Sequence, residues 1–250
     1  MVSLVVLPGL DGTGQLFEDF VSALGKDIEV IVVSYPPDKL LDYAELETVA
    51  RSCLPADKPF FILGESFSGP IAVSIAASSP RGLQGVILCC SFARNPHPEL
   101  AWLRPFIRLV PIAFIPLSLL AYFLLGRFAN ERLRTRLGRI LATVSSSVLR
   151  HRARTALSID KTGALSRIMV PMLYLRASDD RVIPKSASQL ILSLKPDTRV
   201  VEFQAPHFLL QTFPSETASV VKAFVSVETK RRNNCAFLVR TYFEAGLKRL

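Results

Sequence analysis

The chain has 250 residues, 50% of them hydrophobic and 20% charged, with a formal net charge of +9. That apolar content excludes a disordered polypeptide, and the length allows one large domain, or one domain with an insertion, to bury a core without metal or disulfide staples. The four cysteines show neither framework spacing nor a C-x-x-C or His/Cys cluster, so buried reduced thiols, a cytoplasmic setting and no zinc site are expected.

Residues 3–7 read as a strand that runs straight into Pro8-Gly9. With no basic region before it and no small-residue cleavage site, this apolar start is not a signal peptide. A helix is expected over 16–24, a β-branched strand over 30–33, a helix over 42–54 and a strand over 60–63. A small-residue helix follows over 68–77, and then a strand over 86–90. The alternation breaks at Phe92 and resumes near Met169, with strands over 172–175 and 200–203 and a helix over 185–194 between them. Pro214 opens a final helix to about 227. This order predicts an α/β fold: a parallel sheet, helices on both faces and right-handed crossovers.

Residues 94–165 are helical in pattern, with apolar runs and arginines but no clear strand. They read as an inserted cap between core segments 1–93 and 166–228. Within the insertion, 109–126 is uncharged for 18 residues, near the lower bound for a membrane span. Pro111 and Pro116 divide it, so a lid segment with its apolar face over a pocket is the better reading. Residues 229–250 read as a basic tail of unassigned role, opening with a linker over 229–234.

Charge is uneven. Residues 101–158 hold ten arginines against Glu131, and 229–250 hold six basic residues against Glu244, which leaves the remainder at −5 by difference. The two basic appendages suit either a solvated arginine face or an anionic partner, such as transient contact with a lipid surface through the cap. No motif for reading nucleic acid is present, and no nucleic-acid partner is expected.

Two glycine-rich turns follow strands. Gly9-Leu10-Asp11-Gly12-Thr13-Gly14 has the order G-x-x-G-x-G, not the dinucleotide order, and no acidic residue closes the second strand. Tyr35 and Lys39 have the spacing of a dehydrogenase pair, but Pro36 and Pro37 between them forbid a shared helical face. The second turn, Gly64-Glu65-Ser66-Phe67-Ser68-Gly69, sets a serine at the tip of a strand–turn–helix. There a nucleophile elbow needs small residues on both sides; Ser68 stands where glycine is usual.

A serine nucleophile needs a base, and the base an orienting acid. His207 follows the last strand and would reach the sheet's carboxyl edge, unlike His97 among prolines or His151 in the insertion. An acid lies after the 172–175 strand, at Asp179 or Asp180. The order Ser, Asp, His resembles that of the α/β-hydrolase family, and the likeness extends over residues 1 to about 227. Leu7 to Gly14 resembles the family's oxyanion loop. Ala177 to Pro184 resembles its G-x-x-D-x-x-V-P turn, with Ala177 for glycine, and Pro206-His207-Phe208 its histidine loop.

The resemblance implies Ser66, Asp180 and His207 as the triad, backbone N–H groups of Leu10 and Phe67 as the oxyanion hole, and no metal or organic cofactor. It also implies a sheet of about six strands, since two family strands that precede the oxyanion-loop strand have no counterpart. Glu65, Asp11 and Asp179 are expected to cap turns. The expected activity is hydrolysis of carboxylic esters or thioesters with a hydrophobic acyl group through an acyl-enzyme, on a small-molecule substrate. An acyltransferase or perhydrolase would use the same triad, and a binding protein that has lost catalysis would keep the fold.

Overall fold

The fold is taken from a computed structural model that describes residues 2–107 and 115–247, with side chains described through Arg232 and at Asn234. Six strands form one sheet: β1 (Ser3–Leu7), β2 (Glu29–Val32), β3 (Phe60–Glu65), β4 (Leu83–Cys89), β5 (Met172–Ala177) and β6 (Arg199–Phe203). Their spatial order is β2-β1-β3-β4-β5-β6 and every pairing is parallel. The six-stranded expectation holds, and among the described residues the sheet is wholly parallel.

The strands carry β-branched and aromatic runs because both faces are covered. Side chains alternate across the sheet: Val5, Leu7, Phe60 and Ile62 enter one core, and Leu4, Val6, Phe61 and Leu63 the other. The first core is closed by α2 (Tyr43–Ser52), α3 (Gly69–Ala77), α7 (Thr162–Leu165) and α8 (Lys185–Leu194). The second is closed by α1 (Glu18–Leu24), α9 (Leu209–Thr212) and α10 (Pro214–Leu247). α2 begins with a capping box, in which Asp42 accepts from the Ala44 and Glu45 N–H groups and Glu45 accepts from that of Asp42.

The insertion leaves after β4 and returns before β5. Its stem is pinned by an antiparallel bridge between Arg94 and Asp160, flanked by Asn95 N–H to Ile159 O and Lys161 N–H to Ala93 O. Between them lie a 3₁₀ turn (Pro98–Leu103) and helices α4 (Leu117–Leu124), α5 (Glu131–Leu141) and α6 (Ser146–Ala156). Of the 109–126 segment, residues 109–114 lie outside the described residues; α4 is its described part. No helix among the described residues is long and apolar enough to cross a membrane.

The tail departs from expectation. α10 does not stop near residue 227 but runs through the 229–234 stretch to Leu247. Neither Lys-Arg-Arg nor Asn-Asn breaks a helical backbone, and from Pro214 to Ala245 no internal glycine or proline intervenes. Phe224 packs edge-on against Phe61, and Arg232 donates to Leu83 O at 2.7 Å, so the helix is held along the sheet to that point.

Candidate active site

The chain reverses direction across the sheet at β1, which pairs with β2 on one side and β3 on the other. The loops after β1 and β3 therefore diverge and leave a crevice at the carboxyl edge, where open α/β sheets hold their ligands. Ser66 stands there with φ 46°, a left-handed backbone that costs a non-glycine residue about 1–3 kcal/mol. The turn is possible because Gly64 has no side chain: a Cβ would lie 2.8 Å from Ser68 O and 2.9 Å from the Ala72 methyl. Gly69 likewise lies against Ser91, whose hydroxyl donates to Ser66 O at 2.5 Å.

His207 Nε2 lies 2.9 Å from Ser66 Oγ, and its Nδ1 lies 2.9 and 3.0 Å from the Asp180 oxygens. Asp180 also accepts from the Val182 and Ile183 N–H groups at 2.8 Å, which leaves its carboxylate fixed before it meets the imidazole. Asp179 is turned away and pairs with Arg127 of the insertion at 3.2 Å. The structure thus brings together Ser66, Asp180 and His207. His97 instead lies between Val182 O and Glu99, and His151 is on α6.

Burial works to lower the His207 pKa, but the Asp180 charge and hydrogen bond, with the charge of Glu65, outweigh it and leave the pKa raised. Glu65 is buried directly before the serine. Its desolvation, reinforced by Asp11, pushes its carboxyl up to about 7 against hydrogen bonds from Gln211 and Gly9 and the attraction of His207. Gln211 Nε2 donates to it at 2.9 Å.

The Pro8–Gly14 loop faces the elbow. The Leu10 and Phe67 N–H groups donate no hydrogen bond among the described residues, whereas neighbouring loop groups are occupied: Gly12 N–H to Gly9 O, Tyr35 N–H to Gly12 O, and Thr13 N–H to the Asp11 carboxylate. Ser68 donates to Pro8 O and lies 2.9 Å from the Tyr35 hydroxyl. The serine that replaces glycine in the elbow therefore ties the two loops together. Ala177 has no positive φ, so nothing at that position demands glycine.

Among the described residues, one group could offer metal ligands: Cys90, Asp180 and His207, with ligand atoms within 4.8 Å of one another. Desolvation pushes the Cys90 thiol well up, disfavouring the thiolate a metal needs, while Asp180 and His207 already engage each other. The set suits proton transfer rather than coordination. Sequence reasoning gave no role to Arg152 or Gln211, which lie in remote segments and carry no local motif, and weighed Tyr35 only as half of a dehydrogenase pair. The geometry can activate the Ser66 hydroxyl through His207.

The model of the Alpha/beta hydrolase family matches residues 4–220. A putative carbamate hydrolase, RutD, of Pseudomonas savastanoi pv. phaseolicola is 26% identical over 79% of this chain and 83% of its own. Phytyl ester synthase 1 of Arabidopsis thaliana is 32% identical over 44% of this chain, and the match takes up only 16% of that longer protein. Among solved structures, a carboxylesterase of Nitrososphaera gargenis superposes with a TM-score of 0.77 at 18% identity, covering 92% of each chain.

Proposed function

The chain belongs to the alpha/beta hydrolase family, and on that footing we propose that it is a serine hydrolase of carboxylic esters or thioesters with a hydrophobic acyl group. The observation that carries this reading is the unbroken relay from Ser66 Oγ to His207 Nε2 and from Nδ1 to Asp180. Ser66 Oγ attacks the acyl carbon while His207 takes its proton, and the carbonyl electrons move onto oxygen. The N–H groups of Leu10 and Phe67 hold that oxyanion. Collapse expels the alcohol or thiol, which receives the proton from His207 and leaves an acyl group on Ser66. Water, deprotonated by His207, then releases the acid and restores the serine. Asp180 holds the imidazole tautomer and offsets its positive charge.

The insertion supports an apolar acyl group. α4 ends against the histidine loop, where Phe208 N–H donates to Leu124 O at 2.9 Å and Phe208 packs with Ala121, Leu125 and Leu133. Exposed Trp102, Phe106, Leu119, Tyr122 and Phe123 on the same insertion fit transient contact with a lipid surface.

p-Nitrophenyl esters of graded acyl length test the proposal. Wild-type turnover with fluorophosphonate labelling at Ser66 is expected, and both are lost in Ser66→Ala. Turnover that survives Ser66→Ala would sink the assignment; labelling without water-dependent turnover would favour the acyltransferase reading.

A further inference from the structure

Arg152 is an arginine with an unusual address. It belongs to α6 of the insertion, yet its side chain is 1% exposed and lies inside the loop after β1. Its Nη1 donates to Leu10 O at 3.0 Å and to Asp11 O at 2.7 Å, and its Nη2 donates to Pro36 O at 3.0 Å. The guanidinium also sits over the Tyr35 ring, 5.7 Å from its centre. A buried cation is costly to desolvate, and here the hydrogen bonds go to main-chain carbonyls rather than to a carboxylate. Burial accordingly lowers its pKa, with the charges of Asp11 and Tyr35 opposing.

The loop is shaped to receive it. Gly12 has φ 76°, and a Cβ there would stand 2.2 Å from Nη1. The glycine is needed both for the turn and for the guanidinium. In a peptide unit the N–H points opposite to the carbonyl, so a pinned carbonyl aims the N–H that follows. Gly12 N–H on Gly9 O aims the Leu10 N–H, and Arg152 fixes the next two units through Leu10 O and Asp11 O. From the other side Ser68 holds Pro8 O. Without Arg152 the turn keeps Gly12 N–H on Gly9 O and Tyr35 N–H on Gly12 O, but the carbonyls of Leu10 and Asp11, next to the oxyanion donor, lose their partner.

We infer that Arg152 is a positioning residue: from the insertion it holds the loop whose Leu10 N–H stabilises the oxyanion, so that the hole is complete only with α6 docked. This rests on the serine-hydrolase reading above. It assigns the insertion a part in the chemical step in addition to its part in acyl selection.

The experiment compares wild type with Arg152→Met, which keeps the stem, and Arg152→Lys, which keeps the charge but lacks the fork. The expected result is a fall in kcat of about tenfold to a hundredfold in Arg152→Met, as for a misplaced oxyanion donor. KM should change less than threefold, and affinity for a trifluoromethyl ketone, which forms a tetrahedral adduct, should fall in step with kcat. The rising limb of the pH profile should stay in place, since the His207 relay is untouched. Arg152→Lys should fall between the two. Unchanged kcat in folded variants, or loss shared equally by KM, would overturn the inference, as would collapse of the fold in both. Absence of wild-type turnover and labelling would instead refute the serine-hydrolase reading, so the two failures are distinguishable.

Discussion

Ser66, Asp180 and His207 come from three separate loops that the fold brings to one edge of the sheet. The acid is the sharpest case. Asp179 and Asp180 are adjacent in sequence, but only Asp180 receives two backbone N–H groups and faces the imidazole. Asp180→Asn is expected to lower kcat by about four orders of magnitude, because it favours the wrong tautomer. Asp179→Asn removes only a largely exposed pair with Arg127, worth at most about 1 kcal/mol, and should leave kcat within twofold. Ester hydrolysis by both variants checks this.

Glu65 gives a pH signature. Its negative charge helps raise the His207 pKa, and the base must be neutral to act, so wild-type kcat/KM should rise with pH along a limb above the ordinary histidine value of 6.5. Glu65→Gln removes that charge, and the limb should move to lower pH. Stability responds with the opposite demand. The folded carboxyl, at about 7, lies above its ordinary 4.5, so its contribution is full below 4.5 and is lost as pH rises through 7. Glu65→Gln mimics the protonated form. The Tm of the variant relative to wild type should therefore climb between pH 5 and pH 8.5, which thermal melts across that range would check.

At the level of elements, the insertion is joined to the core by apolar packing of Ala156, Ile159, Ala164 and Leu165 and, nearer the site, by specific links. α4 meets the histidine loop through Leu124 O, Arg181 donates to Tyr122 O at 2.9 Å and stacks on its ring, and Arg127 reaches Asp179. Leu125, fully buried just after α4, packs with Ala121, Leu133, Leu124 and Phe208. Leu125→Ala should cost about 2–5 kcal/mol within that small cluster. The expected outcome is a shifted acyl-length profile with fluorophosphonate labelling of Ser66 retained, read on the graded ester series. An unchanged profile would separate α4 from acyl selection.

Across the whole molecule, part of the insertion's positive charge is matched by acids of the core. Arg136, its side chain mostly buried, pairs with Glu18 and Asp19, while Arg132 with Asp19 and Arg127 with Asp179 make pairs that stay largely exposed. Arg104 and Arg139 are exposed and make no ion pair among the described residues, and Arg104 lies in sequence between the exposed Trp102 and Phe106. Binding to vesicles of anionic lipid is expected at low salt and should weaken as ionic strength rises toward 0.5 M, because exposed charges are screened within a Debye length. A sedimentation assay over a salt series measures it, and binding indifferent to salt would remove the arginines from that role.

Local pattern was enough for the strand–helix alternation, because alternation of side chains and helical spacing are properties of neighbouring residues. The elbow at Ser66 was legible for a similar reason, since the turn itself demands small residues at the positions of Gly64 and Ser68. The end of α10 was misread because helix-compatible polar residues look like a linker until Arg232 is seen tied to Leu83 O. What needed the folded chain was whatever joins distant segments: the two backbone N–H groups that fix Asp180, Ser68 as a tether to Pro8, and Arg152 inside the Pro8–Gly14 loop, 141 residues away from Asp11. A hydrogen bond across that separation leaves no periodicity in the chain. It exists only once burial has removed water as the competing partner and made each polar group find another.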